Sequence, residues 1–348
     1  MREILLECLI CPRCGKQEWK IQVDSKSEYE IREGILSCLS CGRQNTITKG
    51  IVDCLGELSL EVAHEKNHAE SLGYLVTPEG ESCVINEETI QCFRNLFLSL
   101  PAGDGSAYFK PGGSFDNQAG NAERFFKTLD LLNLTGEEKI LEVGASFGWG
   151  AWRFAQRGCQ VVALDVTNYL QAADLYFDKD GCYFDRVMAD MNALPFSDGS
   201  FDIIFSHSVI HHCKNIENLF CEFYRVLRPG GRVVALHECA FGIFEDKSGK
   251  ALKKAIDEGF NENAYTLWEW WQGARRGGFL NIRFHFFSLV DDYIHRKKIR
   301  GSGMTGKLRF AYWIKARPFL NRLINLLSII PRIILRPKAW MMMASRSK

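Results

Sequence analysis

Acidic residues are missing from the end of the chain: Gly301 to Lys348 holds ten Lys or Arg and no Asp or Glu. The other 300 residues carry 33 basic and 42 acidic side chains, so a net charge of +1 hides a basic tail on an acidic body. That asymmetry points to a surface that meets phosphate, in nucleic acid or in lipid headgroups. No convincing membrane span is present, since one needs about 20 largely apolar residues. The opening Met-Arg-Glu-Ile-Leu-Leu-Glu-Cys lacks the apolar core and small-residue cleavage site of a signal peptide, and the expected compartment is the cytoplasm. Without an export signal, thirteen cysteines argue against a disulfide framework. What remains is ordinary for a soluble globular protein: 348 residues, 46% hydrophobic and 24% charged, enough for two domains with appendages.

Four cysteines stand in a metal pattern. Cys11-Pro12-Arg13-Cys14-Gly15 and Cys38-Leu39-Ser40-Cys41-Gly42 are two knuckles of the same form. Thiolates two residues apart reach one metal, and the following Gly lets the backbone turn back under it. Cys11, Cys14, Cys38 and Cys41 together suit tetrahedral Zn²⁺ in a closed structural site. The competing readings are coincidence or a redox CxxC pair. Cys8 is read as a core residue, and Trp19 to Val23 and Tyr29 to Ile31 as short strands of a zinc ribbon over residues 1–56.

Residues 57–125 read as a helical and loop segment, either a lid or a linker. Glu57 to about Leu72 has helical spacing and carries His64 and His68, better read as a solvated face than as a metal pair. Leu100 to Gly120 is rich in Gly, Pro and Ser and holds Tyr108, Phe109 and Phe115.

From about 126 to 290 the order is that of a nucleotide-binding βαβ unit. Lys139 to Gly144 is an apolar strand ending in an acid and a Gly; the turn Ala145-Ser146-Phe147-Gly148-Trp149-Gly150 leads into a helix near Ala151 to Gln156; Gln160 to Leu164 is a second strand ending at Asp165. A Gly-rich turn alone is a weak signal, because dehydrogenases share it. Two later runs are more specific: Leu194-Pro195-Phe196 before Asp198-Gly199-Ser200-Phe201-Asp202, and Arg225-Val226-Leu227-Arg228-Pro229-Gly230-Gly231.

Together these motifs resemble the class I S-adenosylmethionine (SAM) dependent methyltransferases, in particular the subgroup marked by an LPF-DGSFD run. The resemblance covers roughly Leu129 to Phe287. It implies an α/β Rossmann-like sheet with SAM as cofactor. Glu142, Gly144 and Gly148 would shape the methionine and ribose end, Asp165 would hold the ribose, and Asp190 with Met191 would receive the adenine. Ser146 stands where the family usually has Gly, and weaker or altered cofactor contact is the expected cost. Separately, Cys38 to Leu55 resembles the small zinc-ribbon activator subunits of RNA and protein methyltransferases, with Gly50-Ile51-Val52 in place of their usual Gly-Ile-Pro. That resemblance implies a positioning role, so loss of the ribbon's metal is expected to lower stability more than SAM affinity.

The fourth strand of the unit ends in Ser206-His207-Ser208-Val209-Ile210-His211-His212. Strand ends in such sheets face the ligand crevice, so His207, His211 and His212 are candidate bases for a hydroxyl or amine acceptor. The alternative is packing, with catalysis mainly by proximity. Past Glu238 an insertion runs to Asn263, and the Trp-rich run Trp268 to Trp271 reads as a helix packed on the sheet.

Residues 291–348 read as a basic amphipathic tail. Phe319, Leu320, Leu323, Ile324, Leu326, Leu327, Ile330, Ile333 and Ile334 recur at helical spacing, and Lys315, Arg322, Asn325, Arg332 and Arg336 fall opposite. Pro331 should kink or divide this helix. The pattern fits a helix lying in an anionic membrane interface on the inner face of the membrane; a helix packed on the core or on a partner is the soluble alternative, and RNA binding fits the aliphatic content less well. Three functions follow as expectations: a SAM-dependent enzyme that O-methylates a small molecule, sugar or lipid-linked glycan near the membrane; an RNA methyltransferase, against which no Asn-Pro-Pro-Tyr type motif is present; and an inactive SAM-binding scaffold.

Overall fold

The computed structural model describes residues 1–72, 75–76, 82–102, 121–245, 263, 265–299, 303–335, 337 and 339–348. Tyr108, Phe109 and Phe115, most of the insertion after Glu238, and Arg336 lie outside these residues.

Four short strands follow the first knuckle: β1 (Trp19–Lys26), β2 (Ile31–Cys38), β3 (Gln44–Thr48) and β4 (Ile51–Asp53). The strand expected over Tyr29 to Ile31 begins only at Ile31, because Ser27 to Glu30 make a turn closed by the Ser27 amide on the Glu30 carbonyl. Next come α1 (Leu60–Leu72), a small pair β5 (Leu75–Val76) and β6 (Ser82–Cys83), then α2 (Glu87–Cys92), α3 (Arg94–Ser99) and α4 (Asn121–Leu132). The alternating unit follows: β7 (Lys139–Val143), α5 (Trp149–Ala155), β8 (Gln160–Asp165), α6 (Asp174–Asp180), β9 (Asp185–Met188), β10 (Phe201–His207), α7 (Ile216–Val226) and β11 (Leu227–Leu236). The chain closes with α8 (Leu267–Arg276), β12 (Asn281–Phe286), α9 (Leu289–Ile299), α10 (Gly306–Lys315), α11 (Pro318–Leu335) and β13 (Trp340–Ser345).

The central strands are continuous apolar runs because helices cover both faces of the sheet. β10 is buried from Phe201 to Ser206. Helix α7 buries Ile216, Leu219, Phe220, Phe223 and Val226, one stripe at helical spacing, and Asn215 caps it by accepting from the Asn218 amide.

One eleven-stranded sheet runs in the order β1-β2-β3-β4-β9-β8-β7-β10-β11-β13-β12. From β9 to β11 the strands are parallel, and β13 is antiparallel to both its neighbours. Chain order reverses between β7 and β10. In a sheet of this kind the ligand crevice opens at the carboxyl ends of the strands beside that reversal.

Two junctions differ from a reading in consecutive segments. The ribbon strands continue the main sheet: β4 pairs parallel with β9, Val52 opposite Val187. Leu5, Leu36, Ile47 and Val52 share a core with Leu164, Val187 and Phe196. A charged seam reinforces this junction. Glu30, 2% exposed, accepts from the fully buried Arg186, and Asp174 accepts from both Arg186 (3.0 Å) and Arg32 (2.8 and 2.9 Å). Burial works to raise the Glu30 pKa, but the Arg186 charge and the neighbouring hydrogen bonds outweigh it and hold the carboxyl at about 2. Its stabilisation is therefore present above an ordinary carboxyl pKa of 4.5 and is lost as pH falls toward 2. Glu30→Ala leaves the buried Arg186 guanidinium with the more exposed Asp174 in place of two acids and is expected to cost about 3–5 kcal/mol. Urea unfolding of the wild type and the variant at pH 7 reads the difference; a loss under about 1 kcal/mol would mean that the seam contributes no more than a surface pair.

The other difference concerns the end of the chain. A boundary at 290 cuts the sheet, because β13 sits between β11 and β12. The orientation of α11 also corrects the expected cationic face. Asn325 turns inward and accepts from the Leu289 amide at 3.1 Å, and Arg332, 5% exposed, donates to the Phe287 carbonyl at 2.8 Å. Lys315 is taken up by Asp291 at 2.9 Å, and only Arg322 of the described set stays exposed and unengaged by an acid. The aliphatic side faces solvent instead. The helix also runs through Pro331 to Leu335 rather than dividing there.

Candidate functional site

The turn after β7 is built for close approach. Gly144 has φ +65°, and a Cβ there would lie 2.3 Å from a Val209 methyl. This contact packs the Gly-rich turn against the histidine segment after β10. Gly148, φ +77°, faces Phe184 at 2.9 Å from its would-be Cβ. Ser146 is itself left-handed, φ +48°, which explains why Gly is usual there. The Asp165 carboxylate holds it, accepting from the Ser146 amide at 2.7 Å.

Asp165 is engaged by both strand-end turns. Its Oδ1 accepts from the Thr167 amide (2.8 Å) and hydroxyl (2.7 Å), and Oδ2 from Ser146. Of roughly four acceptor positions on a carboxylate, at least three are taken, and the Ser146 bond ties the turn after β7 to the turn after β8. Burial raises its pKa, against the amides of Thr167 and Ser146.

Glu142 lies under the start of α5, and a Cβ on Gly150 would stand 2.0 Å from its Oε1. Its Oε2 is buried without a hydrogen-bond partner, and burial raises its pKa to about 8. An orphaned carboxylate oxygen beside a glycine-lined turn fits the cationic end of a SAM molecule. Asp190 stands at the end of β9 with Oδ1 accepting from the Asn192 amide and side chain, and Met191 is half-buried on the core.

The ribbon reaches this same loop. Leu9 bridges Phe196, the Ile10 amide donates to the Pro195 carbonyl (2.9 Å), the Ser197 amide to the Cys8 carbonyl (2.8 Å), and the Cys54 amide to the Met188 carbonyl (2.8 Å). The ribbon therefore meets both sides of the Asp190 loop, through Cys8 to Ile10 on one side and through Cys54 on the other.

The histidines divide. His211 is buried and its Nδ1 lies 2.7 Å from Glu238 Oε2. Glu238 also accepts from the amides of Val209, Ile210 and His211 and from Ser206. Burial works against its charge, but the His211 contact and these amides keep its pKa below the usual value. A charged carboxylate only accepts, so Nδ1 carries the proton. His207 is a poorer base: burial lowers its pKa to about 4, and it stacks on His237 at 5.4 Å with Trp149 edge-on at 5.3 Å. His212 binds Glu65 of α1 at 3.0 Å.

That last contact is one end of a strap. Glu61 pairs with Lys214 (2.8 Å), while at the far end Glu70 accepts from the Asn168 amide (2.9 Å) and Tyr169 donates to the Ala69 carbonyl. Helix α1 thus bridges the segments after β10 and after β8, across the strand ends. His64 is exposed and stacks on His68 at 6.5 Å.

The four ribbon cysteines come together. Their sulfurs all lie within 4.8 Å of one another, with Cys11 to Cys41 and Cys14 to Cys38 at 3.6 Å. Thiolates about 2.3 Å from zinc form a tetrahedron with edges of about 3.8 Å. Amides are aimed alike in both knuckles: those of Arg13 and Cys14 at Cys11, those of Ser40 and Cys41 at Cys38. Among the described residues this is the one group of metal-ligand type.

Glu238 and His237 escaped the sequence reading. His237 is a left-handed non-glycine, φ +60°, two residues beyond Ala235 on the strand beside the histidine segment. His237 and Glu238 directly follow β11, and only the pairing of β11 with β10 sets them beside the histidine segment.

Comparison with known proteins follows this geometry. Residues 141–235 match the model of a family described as a methyltransferase domain. A malonyl-(acyl-carrier protein) O-methyltransferase from Erwinia billingiae is 33% identical over 124 residues, 32% of this chain and 48% of its own length. Phosphoethanolamine N-methyltransferase 1 of Zea mays is 31% identical over 122 residues, 34% of this chain and 24% of its own. The chain thus spans half or less of these relatives. A Haemonchus contortus phosphoethanolamine N-methyltransferase 2 solved with SAM superposes with a TM-score of 0.53 at 19% identity, over 88% of this chain and 62% of that one. The likeness is one of fold: the sheet is that of SAM-binding methyltransferases.

Proposed function

We propose that this chain, which carries a methyltransferase domain, transfers a methyl group from SAM to an acceptor that must lose a proton, most simply a hydroxyl on a small or lipid-linked molecule. The observation that carries this reading is the Glu238–His211 pair, set against the Gly-rich turn through Val209. SAM supplies a methyl group on a positively charged sulfur. Glu142, Gly144, Ser146 and Gly148 would line its methionine and ribose end, Asp165 offers its remaining acceptor position to the ribose, and Asp190 with Met191 would flank the adenine. His211 takes the acceptor's proton, and Glu238 keeps the ring oriented and stabilises its charged form. The named relatives methylate oxygen and nitrogen, so the choice of oxygen rests on the base alone.

Transfer of tritiated methyl from SAM to lipid extract, to small-molecule pools and to total RNA tests this reading. Label in a lipid or small-molecule fraction, lost in His211→Ala while SAM binding persists, supports it; label in RNA alone moves the RNA reading ahead. We propose a cytoplasmic enzyme with Zn²⁺ in the Cys11, Cys14, Cys38 and Cys41 cluster.

Glu142 gives a pH prediction. With its carboxyl neutral below about 8, it offers a cationic ligand little attraction until it ionises. SAM affinity is expected to rise several-fold between pH 6.5 and 9, and Glu142→Gln to flatten the profile. Calorimetry across that range checks it; a wild-type profile as flat as the variant's would remove Glu142 from the cofactor site.

A further inference from the structure

We propose that α10 and α11 lie flat on an anionic lipid bilayer, burying their apolar outer face among the headgroups and setting the crevice mouth at the membrane. The inference rests on the methyltransferase reading for what the crevice does, but its own support is independent.

The two helices are joined to the body through their inner sides. Leu308, Ala311 and Ile314 of α10 pack with Val290 and Ile294 of α9, and Leu320 and Ile324 of α11 close over them. Asn321 and Asn325 bind Ser288 and the Leu289 amide, and Arg332 binds the Phe287 carbonyl. This inverts an ordinary surface helix, which turns its polar side to water. Phe310, Phe319, Leu326, Leu327 and Ile330 are each at least 60% exposed. Trp313 stacks on Phe310 and carries the Arg317 guanidinium 3.9 Å above its ring. Exposed apolar surface on this scale marks a place of docking.

Charge selects the occupant. Lys307, Arg309, Arg317 and Arg322 are exposed around this face, and no acid occurs anywhere from Gly301 onward. An anionic surface gains from every one of these charges, by about fivefold in partitioning per basic residue. A second copy of the chain would bring the same basic rim against it, with like charges opposed. An indole and phenyl rings beside lysine and arginine are the composition of a helix lying in a membrane interface.

Topology decides between lying and crossing. Eighteen residues of α11 make a helix of about 27 Å, and its apolarity is enough by length and composition to span. Its inner side is bound to residues 287–289, however, and β13 enters the sheet at Trp340, so both ends stay with the same domain. The arm joins β12 to β13 at the crevice end of the sheet, where Met341 stands between Leu236 and His285. Beyond Glu238, Gly242 fits so closely under α11 that a Cβ would lie 2.1 Å from the Leu335 carbonyl, and Ile243 and Phe244 extend the exposed apolar face toward the crevice. An acceptor anchored in the same bilayer would reach His211 from that side.

Sedimentation with vesicles of phosphatidylcholine, alone or with phosphatidylglycerol, tests this, using the full chain and its Leu326→Glu/Leu327→Glu/Ile330→Glu variant. SAM binding is measured on the same samples. Wild-type protein is expected to sediment with the anionic vesicles at low salt at least tenfold better than with phosphatidylcholine, and the variant to lose at least tenfold with SAM affinity unchanged. Wild-type protein that stays in the supernatant with anionic vesicles overturns the proposal, as does equal binding by the variant. So does an ultracentrifuge dimer that the triple variant dissolves. Intact SAM binding in any of these cases leaves the methyltransferase reading standing.

Discussion

Asp165→Ala is expected to weaken SAM binding on the order of 100-fold, the upper part of the range for loss of one charge-assisted ribose contact. A charge-assisted hydrogen bond contributes about 1.5–3 kcal/mol. The alanine would forfeit the acceptor for the ribose and, beyond that, release the Ser146 amide and both donors of Thr167. Ser146 is held in a left-handed conformation, and without its anchor that turn relaxes away from the shape that admits the cofactor. Asp165→Asn separates the two effects. An amide oxygen can keep the Thr167 bonds, while its NH₂ group faces the Ser146 amide as donor against donor, so an intermediate loss of about tenfold is expected. Calorimetry with SAM on all three proteins reads the series. An alanine variant within about threefold of wild type would show that the cofactor does not lie over Asp165, and the assignment of β8 as the ribose strand would fall with it.

Much of this site was legible as pattern. The Gly144 to Gly150 turn, the acid ending β8 and the apolar strands are local in sequence, and local rules suffice for them. Functions that depend on non-neighbours were not. Glu238 matters because β11 lies beside β10, a pairing that no spacing reveals. β13 reads as part of a tail because Trp340 to Ala344 has no alternation; it is buried on both faces between β11 and β12. The polar stripe of α11 was visible, but periodicity gives a helix two faces without saying which meets the protein. Arg332, its pKa lowered by burial to about 10, sits inside because the Phe287 carbonyl and the Phe286 ring receive it.

Withdrawing the zinc proposed for the ribbon is expected to weaken SAM binding as well as to destabilise the fold, with the loss of stability the larger of the two. A structural zinc site contributes about 10–16 kcal/mol to the small domain that binds it. Here that domain is fused to the sheet through β4 and β9 and touches the Asp190 loop at Pro195, Phe196 and Ser197. Knuckle residues Cys8 to Ile10 supply those contacts, directly before Cys11. If the knuckle unravels, the loop loses one wall while Glu142 and Asp165 keep theirs. SAM affinity should therefore fall by roughly tenfold, about 1.4 kcal/mol, far less than the loss of fold stability. Cys38→Ser, which removes a ligand distant in sequence from the loop, is the cleaner variant. Metal analysis of reduced, chelator-free protein should find about one zinc per chain, and the reciprocity of linkage requires SAM to raise the affinity for zinc in competition with a chelator at equilibrium. Thermal unfolding and SAM titration of Cys38→Ser separate the outcomes. A lowered midpoint with unchanged SAM affinity would show that the loop stands without the ribbon. Protein free of zinc, with both quantities unaltered in the variant, would remove the metal from the account.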